Sequence, residues 1–340
     1  MRQVVITRHG PPDVLQLREV PDPVPGQGEV RVAVRAAGVN FADILARVGL
    51  YPDAPKPPCV VGYEVAGYID AIGPGVSSRR IGDRILALTH FGGYADTVVV
   101  PAVNCYVVPS RLGDAEAAAV PVTYLTAIVA LYRLAALEPG ETVLIHGAAG
   151  GVGTAAIQLA RLRQAVIIGT ASPAKHDAVR GFGADHVIDY RRTDFVAEVR
   201  RLTRNRGVDV ALDPFGGRSV RESYRLLAPL GRLVVFGVSQ ALPGERRSLW
   251  RAARTLLQMP VFMPLTLMNQ NRGVFGLNLG RLWDESARLD ALMQVLVTEL
   301  ESGRLRPIVS REFPLERAAD AHRFIHERRN IGKVVLTTST

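Results

Sequence analysis

The octet His146-Gly147-Ala148-Ala149-Gly150-Gly151-Val152-Gly153 has residue types that let backbone approach a phosphate. Glycines remove the Cβ that would hold a pyrophosphate away, and a helix starting among them offers unpaired N–H groups and a partial positive charge to the anion. The chemistry this suits is dinucleotide binding through Ala149, Gly150, Gly151, Val152 and Gly153. Against the strict G-x-G-x-x-G spacing, Ala148 stands at the first position, Gly150 and Gly153 fit, and Gly151 is an addition. A tight turn needed only for packing would use the same residues, so the surrounding chain has to decide.

Two further constellations carry chemistry. NAD sites place an acidic residue ~20 positions beyond the glycines, where it accepts from the ribose hydroxyls. No acidic residue occurs from Ala165 to His176. Gly169-Thr170-Ala171-Ser172 stands there, followed by Lys175, and Tyr190 with Arg191 and Arg192 comes after the next strand. Hydroxyls and an ammonium suit a 2′-phosphate that a carboxylate would repel. NADPH is therefore expected, with Thr170, Ser172, Lys175 and Tyr190 at its phosphate end. Ser172 serves equally as a helix N-cap, and the arginines as solvated surface. Lys175 stands out because Lys56, Lys175 and Lys333 are the only lysines among 41 Lys and Arg residues. The third constellation is Asn40 with Asp43, three apart at the start of an expected helix Phe41 to Val48 and so facing one way, with Tyr51 just beyond. A tyrosine, with a reference pKa of ~10, is protonated at neutral pH and can donate a proton. A satisfied turn, an exposed helix residue and a packing tyrosine account for the same three residues.

These groups need elements to hold them. Thr142 to Ile145 reads as a buried strand before the glycines, and Thr154 to Leu162 as a helix after them. Strands follow at Ala165 to Gly169, His186 to Ile188, Val208 to Leu212, Arg232 to Phe236 and Gly273 to Leu277. A helix from Pro173 to Phe182 opens with Ser172 as its N-cap. Repeated strand–helix units with right-handed crossovers give a doubly wound parallel sheet, a Rossmann arrangement. Before about residue 120 the texture differs. Short strands at Val4 to Thr7, Glu29 to Ala36, Tyr68 to Ile72, Arg84 to Leu88 and Ala95 to Val100 alternate with Pro and Gly turns, a β-rich domain. The tail resumes with a helix Asp284 to Ser302, a strand Ile308 to Phe313, a helix Leu315 to His326 and a strand Lys333 to Leu336. The expectation is an α/β protein with a β-rich catalytic domain from 1–120 and 262–340 and a nucleotide domain from 121–261.

Composition narrows the function classes. With 48% hydrophobic and 21% charged residues the chain is ordinary for a globular protein. The net charge of +9 comes from scattered arginines without a stripe or a nucleic-acid motif, so a nucleic-acid partner is not expected. Cys59 and Cys105 are the only cysteines, too few for a disulfide framework or a cysteine zinc lobe. No signal-peptide pattern opens the chain, and the apolar stretch Ala117 to Tyr132 is too short for a membrane span, so a cytoplasmic location is expected. His146, His176 and His322 lack ligand spacing and read as structural. Met259 to Met268 is apolar, Met-rich and proline-broken, suited to plain core, to an adaptable pocket wall or to a dimer contact.

Gly38-Val39-Asn40-Phe41-Ala42-Asp43, Gly49-Leu50-Tyr51-Pro52, Gly62-Tyr63-Glu64-Val65-Ala66-Gly67, Gly82-Asp83-Arg84, the glycine turn and Asn330-Ile331-Gly332-Lys333-Val334-Val335 together resemble the medium-chain dehydrogenase/reductase superfamily. Within it the chain resembles the zinc-free quinone oxidoreductases, and Gly169 to Ser172 with Lys175-His176, Ile188 to Tyr190, Asp213-Pro214, Gly216-Gly217 and Gly276 to Gly280 are similar to the vesicle amine transport protein 1 homologue branch. The resemblance implies a GroES-like catalytic domain, a Rossmann domain, a cleft between them and a homodimer joined through the last Rossmann strands. It implies that Asn40 orients nicotinamide or substrate, that Asp43 holds that network and that Tyr51 hydrogen-bonds the substrate oxygen. It further implies that Thr126, Gly276, Leu277 and Asn278 approach the nicotinamide, and Asn330 the phosphate end. Zinc-dependent relatives have Cys at position 40 and His at position 63, and Glu64 alone is short of the three ligands a catalytic zinc needs.

The expected function is thus zinc-independent, NADPH-dependent reduction of a quinone, a small hydrophobic electron-poor substrate. An enoyl or enone reductase, of the kind that serves secondary metabolism, is the alternative, and an NADPH-binding scaffold without turnover the second.

Overall fold

The computed structural model describes residues 1–242, 249–283 and 285–338. These fall into two compact units, one holding Met1–Leu125 with the chain from Leu279 onward, the other running from Thr126 to Asn278.

In the first unit the strands are β1 Arg2–Ile6, β2 Leu15–Glu19, β3 Glu29–Val39, β4 Glu64–Ile72, β5 Arg84–Leu88, β6 Thr97–Pro101 and β7 Cys105–Val107. Along β3, Val30, Val32 and Val34 are buried while their neighbours are half-exposed, the period-two pattern of a sheet with one face on the core. From Ala36 to Val39 burial becomes continuous, because here β3 is covered on both faces. It pairs antiparallel with β4 and β6. β4 starts four residues before the expected Tyr68, since Glu64 to Gly67 pair with β5.

The second unit contributes β8 Thr142–Ile145, β9 Val166–Ala171, β10 His186–Asp189, β11 Val208–Asp213, β12 Leu227–Val235 and β13 Gly273–Gly276. They form one parallel sheet in the order β10-β9-β8-β11-β12-β13. β11 is buried at all six positions, as expected of a parallel strand covered by helices on both faces. The order reverses between β8 and β9 on one side and β8 and β11 on the other, the switch point where such sheets bind ligands at their carboxyl edge. Because β13 extends this sheet, residues up to Asn278 belong to the nucleotide unit, and the return to the first unit comes at Leu279 rather than at the expected 262.

β14 Val309–Pro314 and β15 Lys333–Thr337 then complete the first unit's seven-stranded sheet, β15 lying antiparallel beside β3. The expected helix of the tail is Ser286–Glu301, with Leu289, Leu292, Met293, Leu296 and Leu300 buried; Asp284, its expected start, lies outside the described residues. The expected helix Pro173 to Phe182 begins as a 3-10 turn, Pro173–Lys175, and becomes α-helical only at His176. Plain core is overturned for Met259 to Met268: Pro264–Gln270 is a short helix, and Val261, Met263, Leu265 and Met268 are exposed. Among the described residues no helix is long and apolar enough to cross a membrane. The stretch containing Tyr124 to Leu131 is a buried helix instead.

Candidate active site

The first-unit cluster is built on the helix Phe41–Arg47 and the strand ends around it. Asp43, at the third helical position, reaches back to accept from the Asn40 backbone N–H at 2.7 Å, one half of a capping box. The same oxygen, Oδ2, accepts from Tyr94 Oη at 3.1 Å, and Oδ1 accepts from Gly62 N at 3.0 Å. Asp43 is fully buried, not an exposed helix residue. Burial pushes its carboxyl up to about 7, against the opposing pull of the Asn40 N–H and the Lys333 ammonium.

The Asn40 side chain turns away from the helix. Its Nδ2 donates to Glu64 Oε1 at 2.8 Å, and its Oδ1 accepts from Lys333 Nζ at 2.5 Å. That orientation is forced, because only the carbonyl oxygen can accept from an ammonium and only the amide nitrogen can donate to a carboxylate. Lys333 Nζ also lies 2.5 Å from Glu64 Oε1, and Glu64 Oε2 accepts from Val122 N at 2.7 Å. Lys333, Glu64 and Asn40 are respectively 4%, 0% and 8% exposed. Gly38 makes room for the carboxylate: a Cβ there would lie 2.4 Å from Glu64 Oε1. Asn40 therefore engages both ends of its amide in a buried ion-pair network. Asp43 ties the helix start to Gly62 and Tyr94.

Tyr51 is half-buried beyond the helix and packs edge-on against Tyr63, centroids 6.1 Å apart. Sequence reasoning did not single out Tyr63 as more than a missing ligand, nor find the partner of Glu64. The signal for the latter was present: a lysine heading the run Lys333 to Leu336, which reads as a buried strand.

In the second unit, β8 ends at Ile145 and the turn follows. Gly147 takes φ 63°, Gly150 N donates to Gly147 O at 2.8 Å, and the helix Gly151–Leu162 begins. A Cβ on Gly153 would lie 2.4 Å from Gly147 O, so the close seating of helix on turn requires glycine there. Gly150, Gly151 and Val152 are half-exposed at the helix N-terminus, whereas Ala149 and Gly153 are buried and supply only backbone.

Thr170, at the end of β9, is fully buried, its hydroxyl lying 3.1 Å from His146 Nδ1 and accepting from Gly147 N at 3.4 Å. It braces the glycine turn from below and does not face a 2′-phosphate, a correction to the expectation. His146 Nε2 lies 2.9 Å from Ser223 Oγ, and burial pushes this imidazole's pKa down. Ser172 makes no side-chain cap bond, so its expected N-cap role is not played by the hydroxyl. Ala171 pairs with Asp189 across β9 and β10, which brings Ser172, Lys175, Tyr190 and Arg191 to one sheet edge. All but the exposed Arg191 are half-buried.

Of the remaining candidates, Thr126 is buried. Leu277 donates its backbone N–H to Val235 O at 2.9 Å and is 9% exposed, so that group extends the sheet pairing and is not open to a ligand. Gly276 ends β13 at the carboxyl edge with Asn278 just beyond, and Asn330 Nδ2 donates to Gly332 O at 2.9 Å. Among the described residues no three His, Cys, Asp or Glu side chains come together as a metal-ligand set.

A chain that combines a β-rich unit holding a buried polar cluster with a unit built on a parallel sheet, a glycine turn at its switch point, has the architecture of a dehydrogenase. Residues 26–110 match the family described as alcohol dehydrogenase GroES-like domain, and residues 182–336 that described as zinc-binding dehydrogenase. The chain is 39% identical to the human synaptic vesicle membrane protein VAT-1 homolog over 339 residues, 99% of this chain and 86% of that protein. It belongs to the medium-chain dehydrogenase/reductase superfamily and is an oxidoreductase of that family. Among solved structures, Escherichia coli quinone oxidoreductase complexed with NADPH is similar at a TM-score of 0.87 and 28% identity, covering 99% of this chain and 100% of that one. CurK enoyl reductase is similar at 0.86 and 29% identity, covering 99% of each.

Proposed function

We propose that this chain is a zinc-independent oxidoreductase that uses NADPH to reduce a quinone. The observation that carries the reading is the carboxyl edge of the second unit's sheet. There the helix N-terminus at Gly150 to Val152 suits a pyrophosphate, and one strand away the end of β9 has Ser172 and Lys175 where an NAD site would have a carboxylate. Tyr190 and Arg191 at the end of β10 add a hydroxyl and a guanidinium to the same edge. These residues would hold the pyrophosphate and 2′-phosphate, and the bound nucleotide would supply a hydride.

Zinc independence is supported by the donor set. Both Glu64 oxygens are engaged, by Lys333 and Asn40 on one side and by Val122 N on the other. Asn40 offers a neutral amide, and burial together with Asp43 and Tyr51 holds the Tyr63 phenol protonated, a poor metal ligand. In this reading Tyr51 donates a hydrogen bond, and on completion a proton, to the substrate oxygen. A homodimer belongs to the reading too, through the edge strand β13 and the apolar surface at Val261, Leu265 and Met268. The likeness to CurK enoyl reductase favours a second reading, in which the acceptor is the β-carbon of an enone or enal.

The test is NADPH consumption, with NADH in parallel, against an ortho-quinone and a medium-chain enal in one buffer. Quinone turnover confined to NADPH is expected; enal turnover alone would move the chain to the enoyl reductases, and nucleotide binding without turnover of either would overturn both. The Tyr51→Phe variant is expected to lose 10²-fold or more in kcat, the usual range for a general acid, with NADPH affinity unchanged. An unchanged rate removes Tyr51 from the chemistry.

A further inference from the structure

Under the glycine turn of the second unit lie His146, Thr170, Ser223 and Asp213, which are 3%, 0%, 0% and 0% exposed. They come from the exit of β8, the end of β9, the helix Arg218–Arg225 and the end of β11. Their hydrogen bonds run in one direction. A hydroxyl has one proton to give, so its other contacts must be accepted. Ser223 donates to Asp213 Oδ2 at 3.4 Å, and its oxygen therefore accepts from His146 Nε2 at 2.9 Å. That assigns the ring proton to Nε2. Burial keeps the imidazole neutral against the pull of Asp213 and Glu222, so Nδ1 has no proton and accepts from Thr170 Oγ1 at 3.1 Å. Thr170 Oγ1 in turn accepts from Gly147 N at 3.4 Å. An ordered line of hydrogen bonds thus crosses the ring, from Gly147 through Thr170, His146 and Ser223 to Asp213.

Both ends of the line shape backbone at the carboxyl edge of the sheet. Gly147 O accepts from Gly150 N at 2.8 Å, and a Cβ on Gly153 would lie 2.4 Å from it. The place of Gly147 therefore fixes the start of the helix that suits a pyrophosphate. At the other end Asp213 Oδ1 accepts from Phe215 N at 2.8 Å and Gly216 N at 3.0 Å, which folds the loop after β11, and Ser219 Oγ donates to Oδ2 at 2.6 Å. The Phe215 ring returns to the imidazole, centroids 5.9 Å apart, and Phe195 packs on it edge-on at 4.9 Å. A histidine buried as filling needs no ordered protons on either side. A fully satisfied buried network holds its members in one geometry, and here the members belong to the turn and to the loop beside it.

We infer that His146 is a positioning residue for the dinucleotide, its imidazole locking the pyrophosphate-binding turn to the loop after β11 through Thr170 and Ser223. Buried as it is, the ring acts through Gly147 and not by touching the nucleotide. A turn already held in its binding geometry binds more tightly, because less ordering is left to the moment of binding. The inference rests on the reading of the turn as a nucleotide site and adds the residue that sets the geometry of that site.

The test is calorimetric titration of the whole chain with NADP+, which binds without turnover. Thr170→Val and Ser223→Ala each remove one hydroxyl of the line and nearly keep its shape. Each is expected to raise the Kd about fivefold, the size of one hydrogen bond. The two together should also cost about fivefold, not the roughly 25-fold of independent sites, because the second break falls in a line already open. Thr170→Ser restores the hydroxyl and should return the Kd to within about twofold of the parent. A core role alone would lower the melting temperature of these variants and leave the Kd of the folded chain unmoved; that result, or losses that add, overturns the inference. A second measurement needs no variant. In nitrogen-15 spectra of the parent, the imidazole beside the Phe195 ring should carry its proton on Nε2 with Nδ1 bare, and a proton on Nδ1 overturns the ordered line. Absence of NADP+ binding by the parent overturns the nucleotide reading and the inference with it, whereas parent binding with unmoved variants rejects the inference alone.

Discussion

Polar residues gather at strand ends in both units, but their hydrogen bonds are spent differently. Around Asn40 every polar group faces another: Lys333 and Asn40 on Glu64, Asp43 on two backbone N–H groups and Tyr94. Around Gly150 the helix N-terminus and the side chains of Ser172 and Tyr190 sit half-exposed at a sheet edge. The first arrangement is closed and fixes architecture. The second is open and suits a charged ligand. Residues of the same chemical types thus serve different ends, and burial with saturation separates them better than residue identity does.

The sharpest way to break this contrast is to open the closed cluster. Lys333→Met leaves Glu64 buried and uncompensated, and the expected cost is about 3–5 kcal/mol, read from urea denaturation. Adding Glu64→Gln should recover most of that loss, since the charge is removed with its partner. If the single variant unfolds like the parent, the cluster is less closed than its distances imply.

A smaller effect is expected at the open edge. Lys175→Ala should weaken NADPH binding about tenfold or more, the size of a charge-assisted hydrogen bond, and leave NADH within about twofold. Its stability should stay within about 0.5 kcal/mol of the parent, as for other surface substitutions. Equal losses for the two nucleotides would remove Lys175 from the 2′-phosphate.

The contrast also explains what could be read in advance. The glycine turn and the parallel sheet are encoded locally, in β-branched runs that end at glycines, so their existence was legible and only their ends shifted. β12 starts five residues before the expected Arg232 because Leu227 already pairs with Val208. The closed cluster is not local. Asn40 lies 24 residues from Glu64 and 293 from Lys333, and no periodicity links them. Asn40 and Asp43 were found for their spacing, yet spacing says nothing about which way an amide turns. Thr170 was misread for a related reason: a strand-end threonine faces ligand or interior according to the register of its neighbours, here His146 on β8's exit. The exposed face of Met259 to Met268 was hidden because apolar composition alone does not say whether a surface is covered.

A last test reads the closed cluster through protons. Burial raises the Asp43 carboxyl to about 7, so between its ordinary value near 4 and pH 7 the folded chain holds a proton there that the unfolded chain has lost. That contribution to stability is full below about pH 4 and lost as pH rises through 7. The groups facing Asp43 are Lys333 and Glu64, and Tyr94, which connects it to His322, an imidazole that burial and Arg47 keep neutral well below its usual range. Asp43→Asn cannot titrate, and although its amide also loses an acceptor for these donors, that loss does not change with pH. The stability difference between parent and variant, measured at pH 5 and pH 8, should therefore shift against the parent by on the order of 2 kcal/mol at the higher pH. Parallel curves would mean that the three donors to Asp43 outweigh its burial, and that this carboxylate is ionised throughout.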